Sequence, residues 1–560
     1  MAEQVPEKEL VRQGRRARHQ DALPPDHHAS AVLDEAHTGP IEGAFGTIAE
    51  HDTGARGSWR ARLLTLLAII GPGLIVMVGD NDAGGVSTYS QAGQNFGLSL
   101  LWTLPLLVPV LMVNQEMVVR LGAVTGVGHA RLINERFGRF WGAFSVGDLF
   151  ILNFLTIATE FIGVSLALGY FGVSEYLSVP IAAVTLIAMT ATGSFRRWER
   201  FMFVFIFANF LVIPLAVMSH PPLGAYLHGL VTPHIKGGVT STAVLLIIAI
   251  VGTTVAPWQL FFQQSNIIDK RIGPRFINYE RADTFIGSLV TVFAASLLVA
   301  VVAAAFVATP LAGHFTDAGG VAQGLSTYVS HAAGSIFAII LLNASIIGAA
   351  SVTLSTTYAF GDMFGTRHSL HRGIREAKFF YGAFAVLVAL AATIVLIPGA
   401  PLGLITTSVQ ALAGVLLPSA TVFLLLLCND RAVLGPWVNR LWLNVVSFVI
   451  VAVLLMMSFI LMVTTVFPHI DVRVVVVVCG VVLGLVYLAG AVWLVATHSS
   501  RRRAAPVSRE RRENWRMPPL NLLDRPQWSR GRLAAMYALR IYLVLAVLLL
   551  LVKAFQLGGA

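Results

Sequence analysis

Apolar residues run along this chain in blocks too long and continuous for the alternating face of a strand or the one-sided stripe of a soluble helix. The blocks fall near residues 63–94, 98–122, 143–171, 177–193, 199–219, 240–266, 283–309, 334–361, 378–398, 402–427, 441–467 and 472–497, with a further candidate near 533–556. A bilayer-spanning helix takes about 20 mostly apolar residues. The pattern therefore predicts an all-α integral membrane protein. Composition agrees: 56% of the residues are hydrophobic and 12% charged, with a mean hydropathy of +0.74, outside the range of soluble globular domains.

Residues 1–58 break the pattern. They are polar, carry both signs of charge with His27 and His28, and lack the apolar core of a signal peptide. They read as a disordered cytoplasmic tail.

The net charge of +10 raises the question of nucleic acid, but its placement answers otherwise. Arg131, Arg136 and Arg139 follow the second block, Arg196, Arg197 and Arg200 the fourth, Lys270, Arg271 and Arg275 the sixth, and Arg367, Arg372, Arg375 and Lys378 the eighth. The intervening loops hold only Lys236. This is the positive-inside bias, which puts the N-terminus in the cytoplasm and Arg501, Arg502 and Arg503 on the same side. The basic segment 499–532, with Arg509, Arg511, Arg512 and Arg516, is expected against anionic lipid headgroups. Cys428 and Cys479 are too few for a disulfide framework.

Two blocks carry interruptions. In GPGLIVMVGDNDAGG (71–85), Gly79, Gly84 and Gly85 weaken helical propensity around Asp80, Asn81 and Asp82. A break is expected near 79–85. An ionisable residue at membrane depth costs roughly 3 kcal/mol or more by insertion scales, and so marks a functional site. In VGTTVAPWQLFFQQS (251–265), Pro257 removes a donor and breaks the sixth block after Thr253 and Thr254. Broken helices five blocks apart are the pattern of two inverted five-helix repeats that meet at the midplane.

These motifs resemble the Nramp family of divalent-metal transporters. The first stretch is similar to the family's first-helix signature, whose usual Asp-Pro-Gly-Asn falls here on Asp82, Ala83, Gly84 and Gly85. RLGAVTGVGHARLI (120–133) resembles the end of its second helix, and VGTTVAPWQLFFQQS its sixth-helix motif, in which Met-Pro-His is followed by a second histidine. Gln410 falls where the family has a tenth-helix glutamine. The resemblance covers about residues 60–467 and implies a LeuT-like fold, with extra C-terminal helices and the site between the first and sixth helices. It divides the chain into a tail (1–58), a transport core (59–428), helices eleven and twelve (429–498), the basic segment (499–532) and a further candidate span (533–560).

The resemblance implies an ion held by the Asp82 carboxylate, the Gly79 and Thr253 carbonyls and the Gln410 amide oxygen. Thr254, Asn81 and Asp80 are expected around it. Asp80 has a second reading, as a cap on the following half-helix or a group facing the outer vestibule. Where the family places asparagine and methionine, this chain has Gly85 and Ala256. Loss of the soft sulfur leaves an oxygen site suited to hard ions, and the small side chains are expected to leave room for water on the ion. Mg2+ keeps several waters and touches one or two carboxylates. The family's sixth-helix histidines fall at Trp258 and Gln263; a third-helix glutamate falls at Gly163, with Glu160 in place of the neighbouring aspartate. Most of the proton relay is missing, as in the Nramp-related magnesium transporters.

The expectation is a monomeric, plasma-membrane Mg2+ uptake protein with no cofactor, driven by membrane potential and not by protons. A divalent cation gains about 4.6 kcal/mol per 100 mV, twice the single-charge value. The runner-up is a proton-coupled Mn2+ or Fe2+ importer. An amino-acid transporter of this architecture gains nothing from Asp82, and no zinc spacing, phosphate loop or nucleophile elbow suggests an enzyme.

Overall fold

The computed structural model describes residues 35–498 apart from 51, 53, 55, 400, 468 and 469, then residues 508–523 and scattered positions between 530 and 548. The expected tail at 1–34 and the arginine run at 501–503 lie outside the described residues.

The remainder of the predicted tail is not free chain. Ile41–Gly43 (β1) and Gly46–Ile48 (β2) pair antiparallel. Ile41, Ala44 and Ile48 are buried against the bundle. These three apolar residues around a tight turn are flanked by polar sequence, which hid the hairpin.

The first apolar block is three helices and not one broken once: α1 (Trp59–Ile69), α2 (Pro72–Gly79) and α3 (Ala83–Phe96). The break between α2 and α3 falls where glycines and acids predicted it. The break between α1 and α2 was not predicted; it turns the chain by 54°. Gly71 there has φ 153°, a conformation open to glycine. The Asp283 carboxylate accepts hydrogen bonds from Gly71 N (2.9 Å), Gly73 N (2.8 Å) and Leu74 N (3.2 Å), capping α2. The Lys270 ammonium donates to the Ile69 and Ile70 carbonyls at 2.6 and 2.9 Å, capping α1. Opposite charges thus satisfy the two helix ends that meet.

The chain continues through α4 (Thr103–Thr125), the short α5 (His129–Phe137), α6 (Arg139–Tyr170), α7 (Glu175–Thr190), α8 (Phe195–Ala208), α9 (Val212–Ser219) and α10 (Leu223–Val231). The sixth block is α11 (Ser241–Thr254) and α12 (Pro257–Asp269), broken as expected before Pro257. Then follow α13 (Ile277–Phe306), the loop helix α14 (Ala318–Tyr328), α15 (His331–Phe364), α16 (Lys378–Val395), α17 (Leu402–Cys428), the single turn α18 (Arg431–Leu434), α19 (Leu441–Val466) and α20 (Val472–His498). Among the described residues ten helical segments are long and apolar enough to span a membrane, or eleven if α1 and α2 count as one. The fourth predicted block, α7, has 16 residues and is shorter than the rest.

The second-helix motif at 120–133 is a packing device. Gly126 ends α4 in the left-handed conformation. A β-carbon on Gly128 would lie 1.8 Å from the Asp362 carboxylate. His129 is buried, with Nδ1 2.9 Å from Gln264 Oε1 on α12. Glu116 and Arg120 pair as an i, i+4 couple should (3.0 Å), but Arg120 is buried and also donates to the Trp437 carbonyl (2.5 Å) and Asn439 (2.5 Å).

The basic segment expected on lipid instead packs in part on protein. Arg512 lies 3.9 Å over the Trp437 ring, and Trp437 Nε1 donates to the Arg512 carbonyl at 2.8 Å. The candidate span at 533–560 lies largely outside the described residues. Within it, Arg540 sits over the Phe140 and Phe144 rings at 3.5 and 3.9 Å, at the start of α6.

Candidate ion site between the two broken helices

Each break frees a carbonyl for a definite reason. In an unbroken helix the Gly79 carbonyl would bond the Ala83 N–H, but that N–H donates to Glu160 Oε2 on α6 at 3.0 Å. The Thr253 carbonyl would bond the residue four positions on, which is Pro257 and has no N–H. Asp82 opens α3 as its N-cap, with Oδ1 accepting the Gly85 N–H at 2.7 Å. One carboxylate therefore satisfies a helix N-terminus while its charge faces the break.

Close backbone approaches gather the rest. A β-carbon on Gly252 of α11 would lie 2.2 Å from the Gln410 carbonyl and 2.3 Å from Gly414 N, so α11 and α17 touch backbone to backbone. This carries the Gln410 amide over α3, where a β-carbon on Gly84 would meet its nitrogen at 1.7 Å. A half-turn of that amide puts its oxygen at the same place. On α15, a β-carbon on Gly348 would lie 2.6 Å from Glu160 Oε2 and 2.7 Å from Asp82 Cβ. Gly252→Val is expected to force α11 from α17, lowering stability by about 1–3 kcal/mol with loss of transport. Thermal unfolding and flux on the purified protein check both.

The structure excludes two of the readings of Asp80. It is not the cap of α3, because Asp82 holds that position, and it does not face a vestibule, because it is fully buried. Neither of its carboxylate oxygens has a hydrogen-bond partner among the described residues. The same is true of the Thr253 hydroxyl, the Ser351 hydroxyl and the Gln410 amide nitrogen, all buried. Unpaired polar atoms of this kind are rare in a folded interior and call for a reason.

Other predicted residues divide. Thr254 serves backbone, as threonines in membrane helices often do: its hydroxyl donates to Ile250 O at 2.7 Å and lies 2.8 Å from the Tyr89 hydroxyl. Asn81 Nδ2 donates to Thr291 O on α13 at 3.1 Å, anchoring the linker. Gln263 is not brought to the site; its amide donates to Thr284 at 2.9 Å. Ala256 is the extended residue before α12, its methyl buried. Trp258 lies against the first break, its ring edge 3.2 Å from where a β-carbon on Gly79 would be.

Gly85 corrects the expectation of open room. A β-carbon there would lie 2.8 Å from the Asp80 carbonyl and 3.2 Å from the Thr253 hydroxyl. The space that a larger side chain would fill is taken by oxygens of the two breaks. Gly348 and Ser351 were missed in the sequence, although the small-residue run Gly348, Ala349, Ala350, Ser351 inside an apolar helix was a usable signal of close helix contact.

The site is closed above and below. A cavity of about 590 Å³ lies on the face away from the arginine-rich loops, lined by Ser165, Tyr170, Glu175, Asp317 and Gln323. A small void of about 10 Å³ between Asp148, Pro257, Phe261 and Ser419 lies on the other side. The candidate residues between them, among them Asp80, Asp82, Thr253 and Gln410, are all buried.

Known proteins bear on this geometry. The chain is 27% identical to the divalent metal cation transporter MntH of Klebsiella pneumoniae over 419 residues, 72% of this chain and 95% of that protein. It is 26% identical to the MntH of Staphylococcus aureus over 422 residues, 71% and 91% of the respective chains. A solved manganese transporter of Eremococcus coleocola is similar in fold, with a TM-score of 0.57 at 22% identity over 79% of this chain and 96% of that one. The fold is thus the LeuT-like arrangement of inverted repeats. Residues 73–464, which enclose both breaks and more than half of the chain, match the natural resistance-associated macrophage protein-like family, and the protein belongs to this Nramp family.

Proposed function

We propose that this transporter carries Mg2+ into the cell as a partly hydrated ion, by alternating access and without proton coupling. The observation that carries the reading is the donor set. Around the two breaks stand two buried carboxylates, Asp80 and Asp82, the Gly79 and Thr253 carbonyls, hydroxyls and the Gln410 amide, with a methyl group at Ala256. Oxygen donors with no sulfur among them favour a hard cation. Two carboxylates and neutral oxygens match an ion that keeps part of its water. Histidine, the side chain most readily poised for proton transfer, is absent from Trp258 and Gln263, where the family has it.

In this reading residues 59–428 are the transport core, the protein acts as a monomer in the plasma membrane, and the arginine-rich loops face the cytoplasm.

A second reading, a proton-coupled Mn2+ or Fe2+ importer, has its own support. The curated relatives are named for divalent metal cations and the structural relative for manganese. Glu160 lies beside Asp82 with one oxygen unpartnered. Ala256→Met separates the two. Under the Mg2+ reading it supplies the sulfur, raises the preference for Mn2+ over Mg2+ by about tenfold, about 1.4 kcal/mol, and lowers Mg2+ flux. Competition of Mn2+ against Mg2+ uptake measures this, and an unaltered ratio would contradict the assignment.

A further inference from the structure

The docked hairpin is joined to the elements that flank the inner halves of both broken helices. Arg271, just beyond α12, donates to the Ala36 carbonyl (3.1 and 2.9 Å) and the Pro40 carbonyl (3.1 Å). His37 Nε2 lies 3.6 Å from the Asp269 carboxylate at the end of α12. Ala44 N donates to Glu199 Oε2 of α8 at 2.6 Å, and its carbonyl accepts from Arg200 Nε at 3.2 Å. The Phe45 ring meets Phe203 edge-on at 4.5 Å.

The hairpin also seals a buried charge pair. Glu199 Oε1 accepts from Lys270 Nζ at 2.6 Å, both side chains fully buried. Lys270 in turn caps α1. Gly43 passes so near that a β-carbon would lie 1.9 Å from the Ala68 carbonyl of α1 and 3.3 Å from Lys270 Cε. Hairpin, α1, α8 and the end of α12 therefore form one closed knot on the face that bears the arginine-rich loops.

The candidate ion site is buried, and in an alternating-access reading an ion released toward that face would need α1 and α2 to part from α12. Lys270 bridges that parting directly, and the hairpin bridges it by lying against Ala68 of α1 while bonding Arg271 beyond α12 and Glu199 of α8. We propose that residues 35–48 are a strap that holds this face shut, and that opening requires its release from Glu199 and Arg271. The proposal rests on reading the chain as an alternating-access transporter, but not on which ion it carries.

Thr284 supplies a reporter: it is fully buried on α13, its hydroxyl 2.8 Å from where a β-carbon on Gly73 would be. The measurement is alkylation of Thr284→Cys, in a Cys428→Ser, Cys479→Ser background, by a charged maleimide applied from either side of oriented vesicles. Gly43→Ala pushes the hairpin off α1, and Arg271→Gln removes its guanidinium bonds. Each is expected to raise labelling from the arginine-loop side by about tenfold, the change produced when one to two net hydrogen bonds are lost from the closed state alone. Unchanged labelling in both variants would overturn the proposal, even with a lowered thermal midpoint, because the hairpin would then add stability without holding the face shut. Labelling that rises only from the opposite face would overturn it too. No transported ion enters the readout, so this result is independent of the Mg2+ assignment.

Discussion

Asp82→Asn is expected to abolish ion flux while leaving the fold intact. Asparagine caps a helix N-terminus about as well as aspartate, so the bond from Gly85 N is retained and α3 still begins at Ala83. What disappears is one negative charge in a buried site. Even at an effective dielectric of about 20, removing a unit charge next to a divalent ion weakens the attraction by several kcal/mol. Each 1.4 kcal/mol is about tenfold, so uptake should fall at least about 100-fold with thermal unfolding little changed. Asp80→Asn should lower uptake as well and raise the thermal midpoint, since it removes a buried carboxylate without a hydrogen-bond partner. Wild-type uptake by Asp82→Asn would place the ion elsewhere.

The second large effect concerns folding. Lys270→Met should destabilise the protein by about 3–5 kcal/mol, because it leaves Glu199 buried without its counter-charge. It also strips the Ile69 and Ile70 carbonyls of their donor. Adding Glu199→Gln removes the stranded charge and keeps an acceptor for Ala44 N, so the double variant should recover part of the loss. Thermal unfolding of the two singles and the double closes the cycle. A Lys270→Met protein as stable as wild type would mean that the buried pair does not hold this end of the bundle together.

What the sequence disclosed and what it withheld follow from the reach of each signal. The spans and the breaks at 80–82 and before Pro257 were legible because glycine, proline and a buried acid act on their own neighbours. That Asp82, Thr253 and Gln410 come together at the breaks was legible through motif spacing. The α1–α2 break was not, because it depends on Asp283 and Lys270 more than 200 positions away in the chain. The hairpin was hidden for a related reason: Ile41, Ala44 and Ile48 look isolated until α1 and α8 are beside them. Gly85 shows the limit of motif reasoning. A missing side chain suggested a cavity, whereas the Asp80 carbonyl and the Thr253 hydroxyl occupy the place.

The most direct test of the central claim is uptake by the full chain in liposomes that report internal Mg2+, Mn2+ and pH under an imposed inside-negative potential. The account predicts Mg2+ influx that grows with the potential, where a divalent ion gains about 4.6 kcal/mol per 100 mV, and no internal acidification. Mn2+ influx with matching acidification, or no Mg2+ influx at any potential, would contradict it.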